Sequence, residues 1–269
     1  MGGLKVTILG CGASVGVPVI GCGCATCTSS NPKNKRQRVS ILVEYDDGTR
    51  ILVDTSPDLR QQALAAGIGT IDGVIYTHAH ADHAHGIDDV RMFNTNCGCE
   101  IDAYGTEETL AELKHRFPYA WRKQEAVYYS CAALTGHVVR AGEAVRLKEK
   151  SVQTFEQTHG KGTTLGLRFG DIVYSTDVNA FPPESEKHLR DMKVWIVDCL
   201  RDGEAGSHAN LEMALGWIEK YKPQLAILTH MNHELEYKAL KERLPENVDP
   251  AFDGMSIQIE ADGLVNISE

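Results

Sequence analysis

Short apolar runs rich in β-branched residues recur along this chain, each stopped by turn formers. Lys5–Leu9, Val39–Tyr45, Arg50–Asp54, Gly73–Thr77, Val152–Gln157, Thr164–Phe169, Ile172–Ser175, Val194–Val197 and Leu225–Thr229 have this form, which predicts strands. Asp46-Asp47-Gly48, between two of them, reads as a hairpin turn. Helical signals lie elsewhere. Ser56-Pro57 followed by Asp58 is a helix start, and so is Thr106 followed by Glu107, Glu108 and Thr109. Asn210–Tyr221 and Glu234–Arg243 carry apolar positions at helical spacing, and a shorter helical pattern runs over Gly86–Phe93. Groups of successive strands separated by helices predict two mixed sheets packed face to face and covered outside by helices, an α/β (α+β) architecture. No repeat or linker divides residues 1–269, which read as a single domain.

Composition narrows the class. The net charge of −10 argues against stable binding to a nucleic-acid backbone, which needs clustered cations. A small phosphate ligand stays compatible, because bound metal ions can neutralise it locally. No apolar run approaches the ~20 residues of a membrane span. The N-terminus lacks the basic-then-apolar pattern of a secretory leader. These features predict a cytoplasmic protein with no membrane attachment. In a reducing cytoplasm the eight cysteines are expected not to form structural disulfides. Cys22, Cys24 and Cys27 sit close together, a spacing that suggests metal binding. Cys97 and Cys99 form a second close pair, while Cys11, Cys131 and Cys199 read as core residues.

The strongest chemical signal is Thr77-His78-Ala79-His80-Ala81-Asp82-His83, directly after the strand-like run Gly73-Val74-Ile75-Tyr76. Imidazole and carboxylate together suit zinc, manganese or iron. Alternating His78 and His80 can project toward one ion, and Asp82 and His83 can reach a second. The small residues between them let the loop fold tightly.

This motif resembles that of the metallo-β-lactamase superfamily. The resemblance implies a four-layer αββα sandwich and supplies the remaining ligands in chain order. His159 in Gln157-Thr158-His159-Gly160, Asp177 in Ser175-Thr176-Asp177 and His230 in Leu228-Thr229-His230 each follow a predicted strand. It implies two divalent ions, zinc or manganese. His78, His80 and His159 would hold one; Asp82, His83 and His230 would hold the other; Asp177 would be shared. Such ions lower the pKa of water toward ~7 and clamp the oxygens of an in-line displacement, which suits phosphodiesters.

Within the superfamily, Cys22-Gly23-Cys24 with Cys27 resembles the cysteine run of the PhnP-like phosphodiesterase branch. There the fourth zinc ligand is a histidine three residues beyond the last active-site histidine, and His233 stands at that place. The resemblance implies one structural zinc, closed by four protein ligands, anchoring the Gly12–Cys27 loop. His208 in Ser207-His208-Ala209-Asn210 resembles a histidine that faces the scissile phosphate in this branch. It and Asp82 are the candidate catalytic residues. The other reading of His208 is a cap on the helix that begins near Asn210.

The stretch from Arg116 to Lys123, followed by Tyr128 and Tyr129, mixes aromatic and basic residues. It reads as a lid, part of a homodimer contact, or packing in an irregular insertion. No long basic arm of the ribonuclease Z kind is present, which favours a small phosphodiester such as a cyclic ribose phosphate or nucleotide ester. The competing expectations are a thioesterase-like, lactonase or β-lactam-hydrolysing enzyme on the same fold, and a PqqB-like protein of cofactor biosynthesis.

Overall fold

The computed structural model describes residues 3–121, 133–260 and 263–268. Arg122, Lys123, Tyr128, Tyr129 and Cys131 lie outside them, and with them most of the aromatic and basic stretch. In chain order the elements begin with β1 Leu4–Gly10, α1 Ala25–Thr28, β2 Ser40–Tyr45, β3 Arg50–Val53, α2 Leu59–Ala65, β4 Gly73–Ile75, α3 Ala81–Ala84 and α4 Val90–Cys97. They continue with β5 Ile101–Gly105, α5 Glu107–Arg116, β6 Leu134–Val138, β7 Ala144–Leu147, β8 Lys150–His159, β9 Gly162–Phe169 and β10 Ile172–Ser175. The last are β11 Val194–Asp198, α6 Leu211–Tyr221, β12 Leu225–Thr229, α7 Tyr237–Lys241, β13 Val248–Pro250, β14 Ser256–Ile259 and β15 Val265–Ser268.

The strands form two sheets, ordered β15-β14-β1-β2-β3-β4-β5-β6 and β13-β12-β11-β10-β9-β8-β7. Side-chain alternation explains how they stack. In β3, Ile51 and Val53 belong to the large core between the sheets, together with Phe155, Leu165 and Leu167 of the second sheet. Leu52 points the other way, into a second core with Leu59, Ile87, Val90, Phe93 and Leu113 from the covering helices. Strands buried on both faces lose their polar alternation, which is why Ile51-Leu52-Val53 reads as an unbroken apolar run. This is the expected αββα sandwich.

All nine predicted strands are present. The six others are short or mixed in polarity. β6 reads Leu-Thr-Gly-His-Val, β13 reads Val-Asp-Pro, and β15 is largely exposed. They lie at or near sheet edges, where pairing partners rather than an apolar pattern define a strand. The helix expected over Glu234–Arg243 contracts to α7. The helix expected over Asn210–Tyr221 is present as α6, and Asn210 caps it, its side chain accepting from Met213 N.

Strand direction decides where chemistry can gather. β10, β11 and β12 run parallel, and β8 and β10 are each antiparallel to β9. The C-terminal ends of β8, β10, β11 and β12 therefore open on one edge. In the other sheet β3 and β4 are parallel and lead directly into Asp54 and the histidine loop. Gly86 closes that loop. Its N–H donates to Thr55 O at 2.9 Å, and a Cβ there would lie 2.0 Å from Ser56 O. Backbone cannot yield as a flexible side chain can, so Gly86→Ala is expected to destabilise by at least the ~1–3 kcal/mol typical of overpacking. Denaturant unfolding of the variant checks this; unchanged stability would show that the loop shifts freely.

Candidate metal centre

Each residue of the His-x-His-x-Asp-His loop is placed by the end of β4 and by α3. His80 is the residue before α3 and remains exposed, while Asp82 and His83 lie on α3 and are buried. His159 ends β8, Asp177 follows β10, and His230 follows β12 directly. Two sets result. The ligand atoms of His78, His80, His159 and Asp177 lie within 4.8 Å of one another, as do those of Asp82, His83, Asp177 and His230. Asp177 belongs to both. Its Oδ1 is 3.8 Å from His78 Nε2 and 3.9 Å from His159 Nε2. Its Oδ2 is 3.1 Å from His83 Nε2 and 3.6 Å from His230 Nε2. The sequence-predicted residues thus converge, with the carboxylate of Asp177 between two groups of imidazoles.

The backbone at this edge is unusual. Asp54, Asp177 and His230 have φ of 62°, 52° and 58°. Non-glycine residues seldom occupy this region, and those that do concentrate at functional sites. At each position the chain turns sharply off a strand and directs its side chain across the opening.

A further set of contacts orients the rings. Asp54 Oδ2 lies 2.7 Å from His83 Nδ1, leaving Nε2 to face the centre. Thr77 secures Asp54, donating its N–H to Oδ1 and its hydroxyl to Oδ2, both at 2.8 Å. The Thr77 hydroxyl also lies 3.0 Å from His78 Nδ1, and His159 Nδ1 bonds the carbonyl of Ser207 at 2.8 Å. Histidines that hold metals commonly have one ring nitrogen fixed in this way.

The electrostatics fit a cation. Burial would neutralise Asp177, yet His230 and His83 outweigh it and hold the carboxyl well below its ordinary range. Burial lowers His83, but Asp177 and Asp54 push it well above the usual imidazole value. His230 is likewise pulled down by burial and carried up to about 9, chiefly by Asp177 and Asp82. Without metal, protons shared among these rings offset the carboxylates. His78 Nε2 is buried with no hydrogen bond. That is costly for neutral packing and is what a divalent ion would relieve.

The cysteine cluster is also assembled. The ligand atoms of Cys22, Cys24, Cys27 and His233 lie within 4.8 Å of one another. His233 Nδ1 is 3.4 Å from Cys22 Sγ and 3.5 Å from Cys24 Sγ. An amide bond from Cys27 and the contact with His233 lower the Cys24 thiol to about 6, in the direction metal binding requires. Cys11 and Cys199 are buried core residues as expected. The expectation that the remaining cysteines stay reduced is corrected: Cys97 and Cys99 form a disulfide.

His208 stands beside the centre. Its ring stacks on His230 at 4.7 Å between centroids and meets His159 edge-on at 4.6 Å. His208 Nδ1 lies 2.9 Å from Asp198 Oδ2. Asp198 also accepts Val178 N and lies 3.8 Å from His230 Nδ1. The cap reading of His208 gives way, since Asn210 caps α6 by itself. Sequence reasoning passed over Asp54, Thr77 and Asp198. The two carboxylates end strands much as Asp177 does, and that shared position was the available signal. A cavity of about 510 Å³ opens next to His78, His80 and His159, with Thr106, Glu108, Arg116, Lys161 and Ser207 on its walls.

The chain matches the family described as "Beta-lactamase superfamily domain" over residues 49–231, and it belongs to that superfamily, with the fold of a metal-dependent hydrolase. Within it the chain falls in the PhnP-like branch. A solved structure described as a new diphosphatase from the PhnP family superposes with a TM-score of 0.88 at 36% identity, covering 95% of this chain and 97% of that one. An octanoyltransferase of Porphyromonas gingivalis is 32% identical over 97% of this chain and 53% of its own length. Coenzyme PQQ synthesis protein B of Rhodopseudomonas palustris is 32% identical over 41% of this chain and 38% of its own length. The chain therefore spans about half of the first of these relatives and less of the second.

Two outcomes follow from the geometry. Asp54→Asn keeps the shape of the side chain but removes the charge behind His83. Losses of this kind typically weaken metal binding by ~10–100-fold. Calorimetric titration of metal-stripped protein reads it, and unchanged affinity would make Asp54 a purely structural residue. Cys24→Ser is expected to lower zinc content by one ion per chain and to reduce thermal stability. Elemental analysis with full zinc retention would contradict that assignment.

Proposed function

We propose that this chain is a binuclear phosphodiesterase acting on small cyclic phosphates or nucleotide and ribose phosphodiesters. His78, His80 and His159 would hold one divalent ion, zinc or manganese, and Asp82, His83 and His230 the other, with Asp177 between them. Cys22, Cys24, Cys27 and His233 would hold a separate structural zinc. When bound, the catalytic ions supply Lewis acidity toward phosphoryl oxygen and a water of lowered pKa.

The observation that carries the reading is the Asp198–His208 pair beside the centre. Asp198 fixes Nδ1 of His208, so Nε2 is the ring nitrogen that can present a proton toward an oxygen leaving the centre. Hydrolysis of a diester expels an alkoxide, which needs such a proton; a thioester expels a thiolate, which leaves without one. Partial exposure of His208 leaves the ring open to exchange its proton with solvent after each turnover. The cavity walls combine hydroxyl, acidic and basic side chains, a lining suited to a polar, hydroxyl-bearing substrate rather than an acyl chain.

Leaving-group dependence tests the role directly. General acid catalysis is typically worth ~10²–10⁴-fold. His208→Ala is therefore expected to slow alkyl or ribose diesters by that order while slowing bis(nitrophenyl) phosphate far less, with metal content unchanged. Equal slowing of both substrates would assign His208 to phosphate positioning, and no slowing of either would remove it from the reaction.

A second reading has its own observation. The octanoyltransferase relative aligns with nearly the whole of this chain, which favours hydrolysis of an acyl thioester. This chain accounts for only about half of that protein, and its polar cavity does not suit an eight-carbon chain. Octanoyl thioester hydrolysed faster than any phosphodiester by the metal-loaded protein would establish this reading over the first.

A further inference from the structure

Cys97 and Cys99 lie far from the uses assigned to the other described cysteines. Cys97 ends α4, and both residues are exposed. Their bond closes a ring spanning only Cys97-Gly98-Cys99. Cross-linking so short a loop removes little entropy from the unfolded chain, so the bond contributes little to stability. Its exposure leaves both sulfurs open to attack.

The turn that carries the pair is fixed independently of the sulfurs. Gly98 takes the left-handed conformation at φ 67°, and its N–H donates to Asn94 O at 2.8 Å. The buried Asn94 side chain donates to Cys99 O at 2.8 Å and to Ala133 O at 2.9 Å, and accepts from Ala133 N at 3.0 Å. None of these bonds uses a sulfur atom. The dithiol would hold its two sulfurs side by side, ready to close again. Cys99 N also donates to Cys97 Sγ at 3.2 Å, while Asn94 O and Cys99 O lie 3.6 and 3.5 Å from the same sulfur.

We infer that Cys97 and Cys99 form a thiol–disulfide exchange site on the outer helical layer, reacting with small thiols of the glutathione class. In the reducing direction a thiolate attacks Cys99 Sγ. The bond to Cys97 breaks, and the electron pair stays on Cys97 Sγ, to which the Cys99 N–H donates. A second thiolate attacks the external sulfur of the mixed disulfide and releases Cys99 as thiolate. The balance is protein disulfide plus two thiols giving protein dithiol plus one external disulfide. Oxidised glutathione drives the reverse. Cys11 and Cys199 take no part: burial raises both thiols and removes them from solvent. The site stands apart from the phosphodiester reading and does not depend on it.

The test uses the full, zinc-replete chain equilibrated against a series of reduced and oxidised glutathione ratios. Samples are acid-quenched, alkylated, digested and read by mass spectrometry. The peptide carrying both cysteines is expected to pass from disulfide to doubly alkylated dithiol as a two-electron couple, its ratio changing tenfold for each tenfold change in the squared thiol to disulfide ratio. Cys97→Ser should accumulate one glutathione on Cys99. A pair that stays joined at the most reducing ratio would be an inert cross-link, and one that stays open at the most oxidising ratio would be no exchange site. A bond from either residue to Cys131 would also overturn the assignment, and Cys131→Ser shows whether the couple survives without that competitor.

Discussion

The carboxylate of Asp177 is fully buried at a strained turn, with five imidazoles at 3.1 to 3.9 Å. A lone buried carboxylate is expensive. This one is tolerable because His230 and His83 compensate it, and Asp54 compensates His83 in turn. The arrangement is a chain of charge dependences running from β3 through α3 to the ends of β10 and β12. Removing one member leaves its neighbour buried and uncompensated, so the cluster holds together as a unit. A divalent cation offers the same carboxylates a stronger partner than protons do.

The sandwich makes that charge cluster possible. Two sheets buried on both faces supply a rigid frame, and their strands end on a common edge. Polar side chains placed just beyond the apolar strands meet there without entering the core. The strain at Asp54, Asp177 and His230 is confined to this edge, and the regular strands behind each residue hold it in place. Arg36 shows the same economy nearby. Almost fully buried, it donates to Asn232 O and Leu235 O at 2.9 and 2.6 Å. It thereby braces the segment that follows His230 and contains His233, and so links the histidine centre to the cysteine cluster.

His208 illustrates how two elements divide one task. Residue 208 lies in the segment leading into α6, while its ring is oriented by Asp198 at the end of β11 and by the face of His230. Neither the sequence near His208 nor its helix fixes the ring. Its place depends on β11 and β12 pairing in parallel, which brings Asp198 and Thr229 into register.

Much was legible before any coordinates. The His-x-His-x-Asp-His loop and the C-x-C-x-x-C run are local patterns whose chemistry is written in residue type and spacing, whereas the strand-end residues His159, Asp177 and His230 became legible only through the resemblance to the superfamily. The central strands were legible for the same reason, since burial on both faces demands continuous apolar runs such as Ile51-Leu52-Val53. Other features belong to tertiary structure alone. β6, β13 and β15 exist because a neighbouring strand accepts them, not because their sequences alternate. Asp54 and Asp198 look like ordinary polar residues after a strand until the fold brings His83 and His208 against them. Cys97 and Cys99 read as reduced from their expected compartment, whereas the turn held by Gly98 and Asn94 brings their sulfurs together. Local pattern determines which groups are available, but hydrogen bonds and charge pairs act over a few ångströms, and only the folded backbone sets those distances.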